Sequence, residues 1–135
     1  MAAWRRHAQS LFGSEVTEQA VGAHDLFRKL RALVLGAHER GDEELLRRVY
    51  AFAQWCFSQR RGSELWNAAG VSFYEHAFDV WRVRREVAPW LAPHVREGAW
   101  SLWKARLTVE ELDALKALFA EPLPERWRET RRLPT

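Results

Sequence analysis

This sequence predicts an all-α fold, a compact bundle of about six helices, and three observations lead there. Apolar residues recur at helical spacing along almost the whole chain, β-branched residues are sparse, and no stretch alternates apolar with polar residues as a half-buried strand would. The 135 residues, 47% hydrophobic and 29% charged, suit one domain spanning 1–135 with a real core. Short glycine-containing loops make neighbouring helices antiparallel hairpins, and short solenoid-like stacking of such hairpins is an open alternative.

Each element has its own signals. A first helix covers Ala2 to Phe12 and closes at Gly13. Ser14 or Thr17 caps a second that runs to about Arg40, with Gly22 blurring its start and Leu26, Phe27, Leu30, Leu33, Val34 and Ala37 on its inner face. Gly41 ends it, in the place glycine favours after a helix C-terminus. Asp42 caps a third helix whose first turn is acidic, with Leu45, Leu46, Val49, Phe52, Ala53, Cys56 and Phe57 inward and Arg60 and Arg61 at its end. Ser63 opens a fourth, expected to reach about Val87 with a bend near Trp81. Pro93 fits the first position of a fifth helix reaching Arg106. Thr108-Val109-Glu110-Glu111 is a capping box for a sixth to Ala120. Glu125 to Arg131 adds a last turn or two, with Trp127 as a peg.

At 100° per residue the fourth helix gathers Trp66, Gly70, Val71, Phe73, Tyr74, Ala77, Phe78 and Trp81 on one arc, with Asn67 within it. Asn67 reads as a fastener for a neighbouring loop, and Gly70 as a point of close helix approach. Glu75 and His76 fall on opposite edges of the arc, about 100° apart, so within this helix they do not face one another. His76 and Asp79, three residues apart, can share a face.

Much chemistry is excluded. There is no HExxH, no Cys/His zinc spacing, no glycine-rich phosphate loop and no GxSxG, so no metal and no cofactor is expected. Cys56, the single cysteine, lies on an apolar stripe as a small hydrophobe, and no internal disulfide can form. His24, Arg31 and His38 repeat every seven residues on a polar face and read as a solvated stripe. No apolar run approaches the ~20 residues of a membrane span. The N-terminus has the charge of a secretory leader without its apolar stretch, so a cytoplasmic location is expected.

The net charge of +3 comes from 21 basic and 18 acidic residues, mostly interspersed. Arg82, Arg84 and Arg85 form the dense basic run, and next to Trp81 they resemble the aromatic-plus-arginine surface of a single-strand binder. Near-balanced charge argues against a large counterion-release term. Eight tryptophans in so small a chain exceed what its interior holds comfortably, and an exposed one is a candidate anchor for a partner.

Phe52-Ala53-Gln54-Trp55-Cys56, followed by Asn67-Ala68-Ala69-Gly70-Val71-Ser72-Phe73-Tyr74-Glu75-His76, resembles a group of small uncharacterised bacterial helical proteins. These share an F-x-x-W-C helix, an N-A-x-x-V-x-F-Y-E-H helix and a proline-flanked tryptophan like Pro89-Trp90-Leu91. The likeness covers Tyr50 to Leu91. It implies a helical fold and carries no catalytic residue. It also implies a link to small immunity proteins that accompany toxins, from whose acidic surfaces the Arg82–Arg85 run departs.

The reading that follows is a non-enzymatic protein–protein interaction module, immunity-like or adaptor, binding another protein through Trp55 with Glu75, His76 and Asp79 bordering the patch. A homodimer is compatible with surplus aromatic surface. Two alternatives stand beside it: nucleic-acid binding through Arg82, Arg84 and Arg85, and an enzyme with a cleft site at Glu75 and His76.

Overall fold

In a computed structural model, which describes residues 2–122, the chain is all-α: eight α-helices and three single 3-10 turns, with no strand among the described residues. The helices are α1 (Ala3–Phe12), α2 (Ser14–Glu18), α3 (Ala23–Arg40), α4 (Glu43–Phe57), α5 (Glu64–Ser72), α6 (Arg84–Val87), α7 (Pro93–Arg106) and α8 (Val109–Ala120). The turn or two expected over Glu125 to Arg131, Trp127 included, lies outside the described residues. Among those described, no helix is long and apolar enough to cross a membrane.

Neither Ser14 nor Thr17 caps as expected, since α2 follows Gly13 and α3 follows Gly22 with no side-chain cap at either, but the later caps act where the sequence places them. Gly41 takes a left-handed conformation (φ 70°) at the end of α3, where a side chain would be strained. Asp42 accepts from the Leu45 amide at the start of α4, and Ser63 accepts from that of Trp66 at the start of α5. Both halves of the Thr108–Glu111 capping box are formed. Asn67 donates to the Gly62 carbonyl at 3.3 Å and so fastens the α4–α5 loop.

Helices α3, α4 and α5 pack on one another as the centre of the fold, with α1 laid on α4 and α7 on α5. Phe27, Phe52 and Phe73 meet at 5.5 Å between ring centres, and Trp90 stacks flat on Tyr50 at 5.4 Å. Trp103, fully buried, packs edge-on to Phe78. Arg5 of α1 donates to the Thr17 and Ala20 carbonyls, closing the end of α2 where the expected second helix divides in two.

The largest departure from expectation is the fourth helix. It ends at Ser72, and residues 73–92 follow a path of 3-10 turns and the one-turn α6. The cause is tertiary. Phe73, Tyr74, Phe78, Val83 and Val87 are all buried, yet on a straight helix Val83 and Val87 would point about 160–200° round from Asn67, away from the aromatic arc. One helix cannot bury both sets, so the chain turns and folds both inward. Side-chain donors serve the carbonyls exposed along this path. Trp103 Nε1 donates to Tyr74 O at 2.7 Å, and Arg84 Nε to Phe78 O at 2.6 Å. Arg96 reaches the carbonyls of Ala88, Leu91 and Phe119 at 2.8–3.0 Å.

Close helix approach occurs at Gly98 rather than Gly70. A Cβ on Gly98 would meet the Phe57 ring at 2.8 Å, whereas one on Gly70 would make ordinary contacts at 3.4 and 3.6 Å. α7 therefore crosses the end of α4 at a glycine whose role has no signature in the local sequence pattern.

Candidate functional site

The irregular segment leaves a cleft of about 530 Å³ between itself and α3. One wall is the face of α3 that carries Arg28, Arg31, Val34, Leu35 and His38. The other runs from His76 to Val87, with Ala77, Asp79, Val80 and Val83 turned inward. Tyr50 and Phe73 form the floor, and Arg106 closes one end from the last turn of α7. The middle is apolar and the polar groups lie at its edges, as in many ligand sites.

Glu75, His76 and Asp79 are brought together by the very break that removes them from a helix. Their expected separation around a helical wheel is therefore corrected: His76 Nε2 lies 3.6 Å from Glu75 Oε2. On its other side the ring contacts Asp79, with Nδ1 and Oδ2 at 2.7 Å. A carboxylate only accepts, so Nδ1 carries a proton and Nε2 is the nitrogen left for other work. Arg106 ties the group down. Its Nη2 donates to both Asp79 oxygens at 3.0 and 2.9 Å, and Nη1 lies 3.8 Å from Glu75. The result is an ion-paired quartet at the mouth of the cleft, completed by an arginine that sequence spacing gives no reason to choose.

The heptad stripe of α3 is not a solvated face. His24 Nδ1 is 2.6 Å from Ser72 Oγ, and His38 Nε2 is 2.7 Å from the Tyr50 hydroxyl. Burial lowers the His38 pKa to about 4, partly opposed by Glu86, so the ring is neutral at neutral pH. The same burial pushes the Tyr50 phenol above its ordinary value. Between the two histidines, half-buried Arg31 faces the cleft and has no hydrogen-bond or ion-pair partner among the described residues. Arg28 is held by Asp25 at 3.5 Å.

Trp55 is half-buried against the core. His7 of α1 packs over it at 4.6 Å between ring centres, and Phe52 lies at 6.1 Å. Its neighbours are thus those of α1, whereas Glu75, His76 and Asp79 gather at Arg106. Among the described residues the exposed tryptophan is Trp81, at 64%. It stacks on the Arg84 guanidinium at 4.3 Å beside a smaller groove of about 420 Å³ lined by Phe78, Leu115 and Leu118.

Each arginine of the basic run meets a carboxylate. Arg82 pairs with Glu39 at 3.2 Å, and Arg85 with Glu121 at 3.1 Å. Arg84 is buried and reaches Glu111 at 2.7 Å. Glu111, which also accepts from the Thr108 amide, has its carboxyl held below the usual range by that amide and by Arg84. Cys56 is buried, and burial pushes its thiol up, away from thiolate chemistry. Among the described residues no group of three His, Cys, Asp or Glu side chains could hold a metal ion.

Taken as chemistry, the cleft offers one unengaged guanidinium, one hydrogen-bonded His–Asp pair and an apolar floor. No serine, threonine or cysteine lines it. No curated protein and no solved structure matches the chain. A domain family does: Domain of unknown function (DUF7674), over residues 7–109. That match spans most of the chain, which therefore belongs to the DUF7674 family.

Proposed function

We propose that this protein is a non-enzymatic recognition module that holds a segment of another protein in the cleft between α3 and residues 73–87. The observation that carries this reading is the cleft itself: about 530 Å³ of apolar floor with polar edges, the form in which side chains of a partner are usually gripped. The groups that could perform chemistry are largely engaged with one another, and the lining offers no hydroxyl or thiol nucleophile apart from the buried phenol of Tyr50. Trp55, covered by α1, serves the fold in this reading, while Glu75, His76 and Asp79 stay at the site as its rim.

A peptide-display selection on the full chain tests it. Selected peptides should bind the wild type and lose binding to Ala32→Trp, which fills the cleft from an exposed position on α3. Equal binding to both, with equal thermal stability, would place recognition elsewhere and end this reading.

A second reading, a proton-transfer enzyme, is favoured by the 2.7 Å contact between His76 and Asp79 at the cleft wall. It requires that whatever enters the cleft be altered there. Mass spectrometry of bound peptide after prolonged incubation reads this directly, and intact peptide removes it.

A further inference from the structure

The cleft reading above leaves the chemistry of the occupant open, and Arg31 narrows it. The three arginines that line the cleft differ in their engagement. Arg106 is neutralised by Asp79 and Glu75, and Arg28 leans on Asp25. Arg31, three residues after Arg28 on α3, is half-buried and has no partner among the described residues. A guanidinium in that position has lost part of its water and gained nothing in exchange, and its planar fork matches a carboxylate. Asp79, the one carboxylate in the lining, has both oxygens occupied by Arg106 and the nearer also by His76. His38, neutral and bonded to Tyr50, adds no competing charge. The unbalanced charge of the cleft is thus positive, and although Arg28 shares Asp25 with Lys29, Arg31 is the lining arginine with no carboxylate at all among the described residues. Just beyond Arg31 lie Val34, Leu35, Phe73, Val80 and Val83, an apolar bed within reach of the same occupant.

We infer that the cleft recognises an amphipathic acidic segment of a partner protein, its carboxylate on Arg31 and a flanking aliphatic side chain on the apolar bed. This rests on the recognition reading and deepens it. Charge complementarity selects the acid, and the adjoining bed separates a peptide from a small inorganic anion, which would use Arg31 alone.

The test uses the full chain, isotope-labelled so that the Arg31 Nε–Hε signal is visible by NMR, and three probes. Two are pools of end-blocked pentapeptides with Leu, Ile, Val or Phe at the flanks and either Glu or Gln at the centre; the third is inorganic phosphate. The Glu pool should shift the Arg31 signal and bind about tenfold tighter than the Gln pool, the measure of one charge-assisted hydrogen bond. Arg31→Gln should erase that preference, and Arg31→Lys should keep part of it. Arg85→Gln, at an exposed pair outside the cleft, should leave it intact. Equal binding of the two pools, abolished by Ala32→Trp, would overturn the carboxylate anchor while leaving the recognition reading standing. Phosphate binding as tightly as the Glu pool would make the site one for small anions and overturn the inference. If neither pool binds, the inference also fails, and the recognition reading is then decided by the peptide selection.

Discussion

The segment 73–92 has two sides, and they are built in opposite ways. Outward, toward α8 and the end of the described chain, it is stitched: Arg84 to Glu111 and Phe78, Arg85 to Glu121, Arg96 to three carbonyls. Toward α3 it touches through the exposed Arg82–Glu39 pair and otherwise stands away, leaving a cleft with an arginine that has no partner among the described residues. Every member of the dense cationic run is stitched, and an isolated cation within a heptad stripe is the open one. Density of charge along a chain therefore says little about charge available to a partner. What decides is whether the fold supplies a carboxylate, and for Arg82, Arg84 and Arg85 it does.

The largest effect should come from unpicking the stitch beneath both sides. Trp103→Phe removes the donor to Tyr74 O and opens space at a fully buried position. Lost packing plus one lost hydrogen bond to Tyr74 O, which keeps the Ala77 amide at 3.0 Å, should cost about 2–4 kcal/mol, read by urea denaturation. If the loss stays below about 0.5 kcal/mol, within the range of ordinary surface substitutions, then residues 73–76 hold themselves and the stitch matters little.

Next is Arg84→Met. The side chain is 11% exposed, and its removal takes the donor from the Phe78 carbonyl and the charge partner from Glu111, which keeps the Thr108 amide. A loss of about 2–3 kcal/mol is expected, in line with hydrogen bonds to charged groups. Glu111→Gln should cost less, because glutamine still completes the capping box at Thr108. Should the two variants cost the same, the ion pair rather than the Phe78 contact would be the stitch.

How much of this was legible in the sequence depended on the range of the forces involved. Caps and breakers act over three or four residues, so Gly41, Asp42, Ser63, Pro93 and the Thr108–Glu111 box could be placed at once. The break after Ser72 could not, since it answers to the burial of Val83 and Val87 by distant elements. A continuous helix would hold Glu75 and His76 apart, whereas the broken one lets them meet in space. Arg106 and Arg31 were missed as site residues for a related reason: one joins from α7, and the other is singled out only by the absence of a partner. A clue was present. Val83 and Val87 fall off the aromatic arc, and an apolar pair on the wrong face of a supposed helix is a signal that the helix ends.

On the open side, His38 should give a pH signature. Its pKa is about 4 in the fold against an ordinary value near 6.5, so the unfolded chain binds a proton first as pH falls. Stability from this group is therefore constant above about pH 6.5, falls between about 6.5 and 4, and levels below that. His38→Gln can keep a hydrogen bond to Tyr50 without titrating. The difference between wild type and variant in urea midpoints across that window should show the slope. Parallel curves would mean that His38 is solvated and charged in the fold, which would spoil the contrast between a neutral His38 and a charged Arg31 in the cleft.

The smallest effect belongs to the outermost stitches. Arg82 and Arg85 are 65% and 71% exposed, and each meets a half-exposed carboxylate. Water and salt screen such pairs, so Arg82→Gln with Arg85→Gln should cost no more than about 1 kcal/mol together, less still at high salt. The double variant also sharpens the comparison in function. If the stitched side only fastens the fold, it should bind the acidic peptide pool as the wild type does. It should likewise be indistinguishable from wild type on single- and double-stranded DNA and RNA columns at low salt. Retention of the wild type alone, lost steeply as salt rises, would mean that these arginines exchange their carboxylates for phosphates. The stitched side would then be the working one, because a pair worth so little within the fold is easily given up to a polyanion.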